Sequence, residues 1–376
     1  MQDNNKVRGR NRNRVNKRPL TFIKLSTQFE NVGDCLINRE LVRLIAEFSD
    51  LVLDVRGCPT EFVDQIIDGL DPNRVKPTYW LFYPKMLLAR IQQRRCYWFF
   101  TPGGITGNGG SSNAIRSWLT DLPLVLAKFL GVRGCQMGAS FSSMSESHLR
   151  TWRKRRRYLE LCSPRDSQSA QYLESHGISC DPCIPDLAFL IFRHPIQAET
   201  KIEASNPIGC FSIRTDQYPE QLGDFLKIMQ GMEPRITWRS IFQVGRDEPG
   251  MKTIRMELIR KGIAVDELVD LHSNIESSLA YYRTTPFVLS NRLHVLLMAA
   301  SQGARIMAVV GRKGGEKLEG ILNDLGLGEA ILRTEDFQPE LPFTPQGVKV
   351  CGAKNREAIR EAFRKLFNDQ QMPKSR

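Results

Sequence analysis

A chain of 376 residues is long enough for two domains of ordinary size, and a hydrophobic content of 41% allows a sizeable core, which excludes a disordered protein. The formal charge of +12 favours anionic partners. No run reaches the roughly 18–20 uninterrupted apolar residues that span a bilayer, the best candidate at 122–132 being broken by Lys128.

Residues 1–18 read as a basic, disordered arm. Lys6, Arg8, Arg10, Arg12, Arg14, Lys17 and Arg18 face only Asp3, so about half of the net charge sits where almost nothing can enter a core. Three roles are open for it: a solvated tail, attraction to an anionic membrane surface, or nucleic-acid binding. Nucleic acid is disfavoured, because no aromatic or groove-reading module accompanies the arm. No apolar segment follows the basic residues, so a secretory signal is not expected. The nine cysteines are odd in number and scattered, which fits free thiols in a reducing, cytoplasmic setting. The pair Cys180-Asp181-Pro182-Cys183 lacks the second ligand pair of a zinc site, so no metal is expected.

After the arm, short β-rich runs alternate with amphipathic stretches. Strands are predicted at 20–25, 51–55, 96–100, 132–137 and 159–162. Helices are predicted at 35–48, near 61–70, around 122–130 and at 166–175, with Asp34 and Asp166 as natural helix caps. Pro102 to Gly110 reads as a glycine-rich loop. Breakers at His194-Pro195 and Asn206-Pro207 bracket a polar stretch, which places a boundary between domains at 19–195 and 207–370. The second series predicts strands at 208–213, 241–244, 287–289 and 305–310. Its helices fall at 219–229, 251–261, 293–301, 317–325 and 356–367. This alternation predicts an α/β protein of two Rossmann-like, doubly wound parallel sheets facing a cleft.

The candidate chemistry lies at strand-to-helix turns, the edge where open α/β sheets bind ligands. Ser290-Asn291-Arg292-Leu293-His294 joins a strand to a helix, placing a fixed cation and an imidazole beside a helix N-terminus. Arg165 occupies the equivalent turn after the strand at 159–162. Asn31, Gly33 and Asp34 follow the first strand, and Gly103 and Gly104 let backbone approach a ligand closely. The glycine cluster lacks the Gly-Lys-Ser/Thr ending of a phosphate-binding P-loop. Pro185-Asp186 reads as a structural turn, and the run Arg153 to Arg157 as a solvated helix face or a contact for anionic lipid.

The order Asn31-x-Gly33-Asp34, a Gly-Gly loop, Arg165-Asp166-x-x-Ser169, Pro185-Asp186, Ser290-x-Arg292-Leu293-His294 and a downstream Lys313 resembles the polysaccharide pyruvyl transferase family over most of residues 20–330. The chain departs from the family after Met137, where it keeps Gly138 but not the second glycine and proline common there. The resemblance implies a fold similar to two-domain B-type glycosyltransferases. It also implies a reaction in which pyruvate passes from phosphoenolpyruvate to a sugar of a bacterial surface polysaccharide or its lipid-linked precursor, forming a ketal. Arg165, Arg292, Leu293, His294 and Lys313 would hold the donor, with Arg165, Arg292 and His294 catalytic. Asn31, Gly33, Asp34, Gly103 and Gly104 would line the acceptor side. Phosphoenolpyruvate would be a co-substrate, with no resident cofactor. The protein would be cytoplasmic or peripheral at the inner face of the membrane. A nucleotide-sugar-dependent glycosyltransferase on the same scaffold is the competing reading.

Overall fold

A computed structural model describes residues 18–107, 113–192, 208–214, 221–231, 236–311, 315–334 and 345–368. Residues 1–17 of the basic arm and residues 193–207, across the expected boundary, lie outside them.

The first lobe begins with β1 (Leu20–Lys24), α1 (Val32–Phe48), β2 (Asp50–Asp54), α2 (Thr60–Ile67), β3 (Val75–Thr78), α3 (Phe82–Ile91) and β4 (Cys96–Phe100). It continues through β5 (Gly103–Gly107), α4 (Asn113–Phe129), β6 (Arg133–Met144), α5 (Glu146–Arg156), β7 (Leu159–Pro164) and α6 (Ser167–Ser175). A short 3-10 turn follows at Leu187–Ile191. The second lobe holds β8 (Ile208–Ser212), α7 (Gln221–Gly231), β9 (Thr237–Phe242), α8 (Glu248–Arg260), β10 (Val265–Asp270) and α9 (Ile275–Arg283). Then come β11 (Phe287–Ser290), α10 (Leu293–Ser301), β12 (Arg305–Val310), α11 (Glu316–Asp324), β13 (Ile331–Arg333) and α12 (Pro345–Asn368).

Every described strand pairing within the two sheets is parallel. The second sheet runs β10-β9-β8-β11-β12-β13, the doubly wound order in which the first strand of the lobe neighbours the fourth. The first sheet follows the same plan. β3, β2, β1, β4 and β6 lie in that order, and β7 pairs with the far edge of β6. Gln136 of β6 pairs with Phe100 on one side and Cys162 on the other, and Ala139 pairs with Gly103 and Pro164. β5 therefore extends the lane of β4, so part of the expected glycine loop is strand. β6 likewise runs past Met137, through a register irregularity at which Gly138 takes φ +69°, a left-handed conformation suited to glycine.

Helix α1 starts earlier than expected. Asn31, not Asp34, caps it, its side chain accepting from the Gly33 N–H. Asp34 sits in the first turn and accepts from Thr27 Oγ1 at 2.9 Å.

The lobes share one apolar core that contains Ile23, Val42, Leu296 and Phe363. Backbone bonds also join them: Val32 N–H donates to Gln243 O, and Gly245 N–H to Glu30 O, each at 3.1 Å. The closing helix α12, numbered with the second domain in the sequence, packs on the first sheet. Phe363 and Phe367 stack on Phe99, and Phe367 also stacks on Phe48. Most thiols serve as small core residues: Cys35, Cys96, Cys135, Cys162 and Cys210 are buried, and burial pushes the Cys35 thiol up to about 12. Among the described residues no helix is long and apolar enough to cross a membrane.

Candidate active site

In doubly wound sheets a crevice opens where strand order reverses, here between β1 and β4 in one lobe and β8 and β11 in the other. The carboxyl ends of those strands line one cavity of about 1210 Å³. Asn31, Asp34, Gly103, Gly104 and Arg165 reach it from the first lobe, and Arg292, Leu293 and His294 from the second. Lys313 lies outside the described residues.

Arg165 emerges directly after β7, its own N–H anchored on Ala139 O at 3.0 Å. Its guanidinium donates to Ser140 Oγ and, at 2.6 Å, to Asp186 Oδ2. Ser140 Oγ in turn donates to Asp166 Oδ2 at 2.6 Å, while the other oxygen of Asp166 caps α6 through Ser169 N–H. Arg165 is thus gripped by buried acceptors that fix its direction.

Asp186 has two functions. Its Oδ1 accepts from the Ala188 N–H and starts the 3-10 turn. Its Oδ2 holds Arg165 and lies 3.5 Å from His294 Nε2, longer than a normal hydrogen bond. Burial alone would raise this carboxyl, but His294 and Arg165 outweigh it and hold Asp186 well below the usual carboxylate range. One carboxylate therefore ties the first lobe's arginine to the second lobe's imidazole.

The second-lobe turn is braced at several points. Ser290 Oγ donates to Ser212 O at 2.6 Å and accepts from Arg292 N–H at 3.0 Å. The Asn291 side chain accepts from Arg214 N–H and donates to Arg214 O, tying the ends of β8 and β11 together at the reversal point. Arg292 occupies the N-cap position of α10 and forms an ion pair with buried Asp247. Burial pushes the Arg292 guanidinium below its ordinary value, Asp247 raises it again, and Arg214 and Arg246 lower it further. Three arginines of one lobe thus crowd the same wall, and Arg214 and Arg246 line the cavity with Arg292.

Gly33 explains how the lobes approach so closely. A Cβ on Gly33 would lie 2.3 Å from His294 Nδ1, so the start of α1 can abut the imidazole only as glycine. Gly103 and Gly104 differ, since a Cβ on either would meet nothing within 4 Å.

A sequence model of the family described as polysaccharide pyruvyl transferase matches residues 31–310. The chain belongs to that family. No curated protein matches the sequence. Among solved structures, this pyruvyl transferase family member is similar to the Anabaena protein Alr3699/HepE in complex with UDP. The identity is 12% and the TM-score 0.58, over 93% of this chain and 99% of the other. The same protein in complex with UDP and glucose gives 11% identity and a TM-score of 0.56, over 93% and 99%. The UDP-GlcNAc 2-epimerase from Neisseria meningitidis bound to UDP-GlcNAc gives 11% and 0.49, over 93% and 91%. The likeness to the Anabaena protein establishes a shared fold: two Rossmann-like lobes facing a cleft, the arrangement of B-type glycosyltransferases.

Sequence reasoning missed several residues of the pyruvyl transferase cleft. Asp186 read as a turn residue, which it also is. Asp247 and Arg246 follow β9 at a strand-to-helix turn, the same signal that singled out Arg165 and Arg292. Arg214 follows β8 in the same way.

Proposed function

We propose that this pyruvyl transferase moves pyruvate from phosphoenolpyruvate to a sugar of a bacterial surface polysaccharide or its lipid-linked precursor, forming a ketal across two hydroxyls. The observation that carries the reading is the Asp186 carboxylate, which joins Arg165 of one lobe to His294 of the other beside the three-arginine wall. Phosphoenolpyruvate carries a carboxylate and a phosphate, and guanidinium groups match both with paired hydrogen bonds. Arg292, Arg214 and Arg246 hold the donor on the second lobe, Lys313 adds a further cation, and Arg165 reaches it from the first.

His294 protonates the enol methylene, which becomes the methyl group, and leaves an oxocarbenium-like centre at the neighbouring carbon. One sugar hydroxyl attacks that carbon and loses its proton. The second hydroxyl then displaces inorganic phosphate, which departs with the bridging oxygen, and its proton leaves with the phosphate or a base. The arginines answer the phosphate charge as it departs. Leu293 sets the hydrophobic edge between the two charged neighbours. Asn31, Asp34 and the Gly103-Gly104 backbone form the acceptor side, where short polar groups and bare backbone suit a sugar.

Incubation with phosphoenolpyruvate and a panel of glycans tests the reading. Acceptor-dependent phosphate release with a product heavier by one pyruvate ketal is the expected result. Release of nucleotide from a sugar donor, with no phosphate release from phosphoenolpyruvate on any acceptor, would replace it with glycosyl transfer.

A further inference from the structure

Helix α3 carries apolar side chains on its outward side as well as on its buried one, interrupted by Lys85 and Arg90. Phe82, Met86 and Ala89 face the sheet and are buried. Tyr83, Leu87 and Ile91, spaced four residues apart, form an opposite stripe that faces outward. Ile91 is 69% exposed, and the preceding Trp80 is 80% exposed. Helix α4 repeats the pattern: Leu124 and Ala127 are buried, while Leu122, Leu126 and Phe129 are exposed, Phe129 by 84%, as is Leu130 just after it.

Both helices cover the same face of the first sheet, because their buried sides join one core cluster. Their C-terminal ends are tied together, Arg90 Nε donating to Leu130 O at 2.6 Å. A surface with this many large apolar side chains on two adjoining helices is far from the scattered exposure usual for a soluble face.

The surrounding charge is predominantly positive. No acidic residue occurs from Tyr79 to Arg95, which holds Lys85, Arg90, Arg94 and Arg95, or from Leu122 to Arg133, which holds Lys128 and Arg133. Helix α5 packs beside α4 and adds Arg150, Arg153, Lys154, Arg155 and Arg156 against Glu146, with Arg155 paired to Asp121 of α4 and Arg156 to Asp181. A second copy docking on this face by two-fold symmetry would set cations against cations. An anionic lipid surface meets both features: it receives the apolar stripes and neutralises the basic fringe.

We propose that the outer face of α3 and α4 docks the protein on an anionic membrane, with α5 supplying lipid-headgroup contacts. The proposal does not depend on the donor or on ketal formation, since lipid binding is read without turnover. It fits an acceptor carried on a lipid.

The test is co-sedimentation of the full chain with phosphatidylglycerol vesicles and with phosphatidylcholine vesicles, alongside the double variant Ile91→Ser/Phe129→Ser. Both side chains are exposed, and thermal melting with sedimentation velocity checks that the variant keeps its fold and mass. The expected result is salt-sensitive binding to phosphatidylglycerol only, weakened about tenfold or more in the variant. No binding to phosphatidylglycerol overturns the proposal. So does binding that the variant leaves unchanged, which would move the lipid contact to another basic segment. A concentration-dependent dimer abolished by the variant, without vesicle binding, would assign the face to a second copy instead.

Discussion

The two lobes meet the cavity with the same device and different charge balance. Each presents an arginine held by a buried carboxylate, Arg165 by Asp186 and Arg292 by Asp247. In the first lobe Asp166 adds a second carboxylate 3.8 Å from Arg165, so the guanidinium there is more than answered. In the second lobe Arg214 and Arg246 add cations close enough to depress Arg292. The second lobe therefore brings the larger surplus of positive charge to the cavity, and the first brings one firmly oriented guanidinium. The imidazole stands between them, on the second lobe's helix but against the first lobe's Gly33 and Asp186.

The sharpest way to break this division of labour is at the shared residue. His294→Ala is expected to lower the rate of phosphate release by about 10²–10⁴-fold, the usual scale of general acid–base help. Near wild-type turnover would remove His294 from proton transfer.

Asp186→Asn keeps the shape but removes the charge common to both lobes. Arg165 keeps Asp166 and Ser140, so the lost charged hydrogen bond costs about 1.5–3 kcal/mol in denaturant unfolding at neutral pH. The folded-state carboxyl titrates below its unfolded value of about 3.9, so its stabilisation is present above that pH and fades as pH falls beneath it. The stability gap between wild type and variant therefore narrows below about pH 4. A gap independent of pH would show that the Asp186 charge does not stabilise the fold.

The charge surplus is probed by Arg246→Ala. Loss of a charged hydrogen bond, about 1.5–3 kcal/mol, raises the KM for phosphoenolpyruvate roughly ten- to a hundredfold. A change in kcat alone would instead place Arg246 at the departing phosphate.

The smallest effect belongs to Gly33→Ala. Alanine favours a helix over glycine by about 1 kcal/mol, so α1 itself tolerates the change. The added methyl clashes with the Cβ of His294 as well as its ring, however, so a fall in kcat of about tenfold is expected together with a loss of thermal stability. A stability loss with unchanged kcat would make Gly33 a packing residue only.

Much of the scaffold was legible because its signals are local. α10 and β12 occupy the residues read from the sequence, being unbroken apolar runs flanked by polar turns. β3 was not legible, since Val75-Lys76-Pro77-Thr78 carries a proline and too little alternation. α3 was missed because apolar residues on both its sides blur the helical period, and β10 because its edge position leaves Asp266, Glu267 and Asp270 along the strand. The return of α12 to the first sheet depends on partners far away in the chain. The same distinction holds for the site. Arg165, Arg292 and His294 stood out as two cations and an imidazole at strand ends, whereas Asp186 already had a visible local role at a turn. Its contact with His294 spans 108 positions of sequence and exists only after folding. Gly33 was marked, but for the turn rather than for the imidazole that it admits.

The claim that one anion is gripped from both lobes is tested most directly by calorimetric titration of phosphoenolpyruvate. The titration compares wild type with Arg165→Lys and Arg292→Lys, which keep charge but lose the planar fork. The account predicts that each substitution weakens binding about tenfold or more. Binding that falls in Arg292→Lys but is unaltered in Arg165→Lys would contradict it, leaving the donor on one lobe alone.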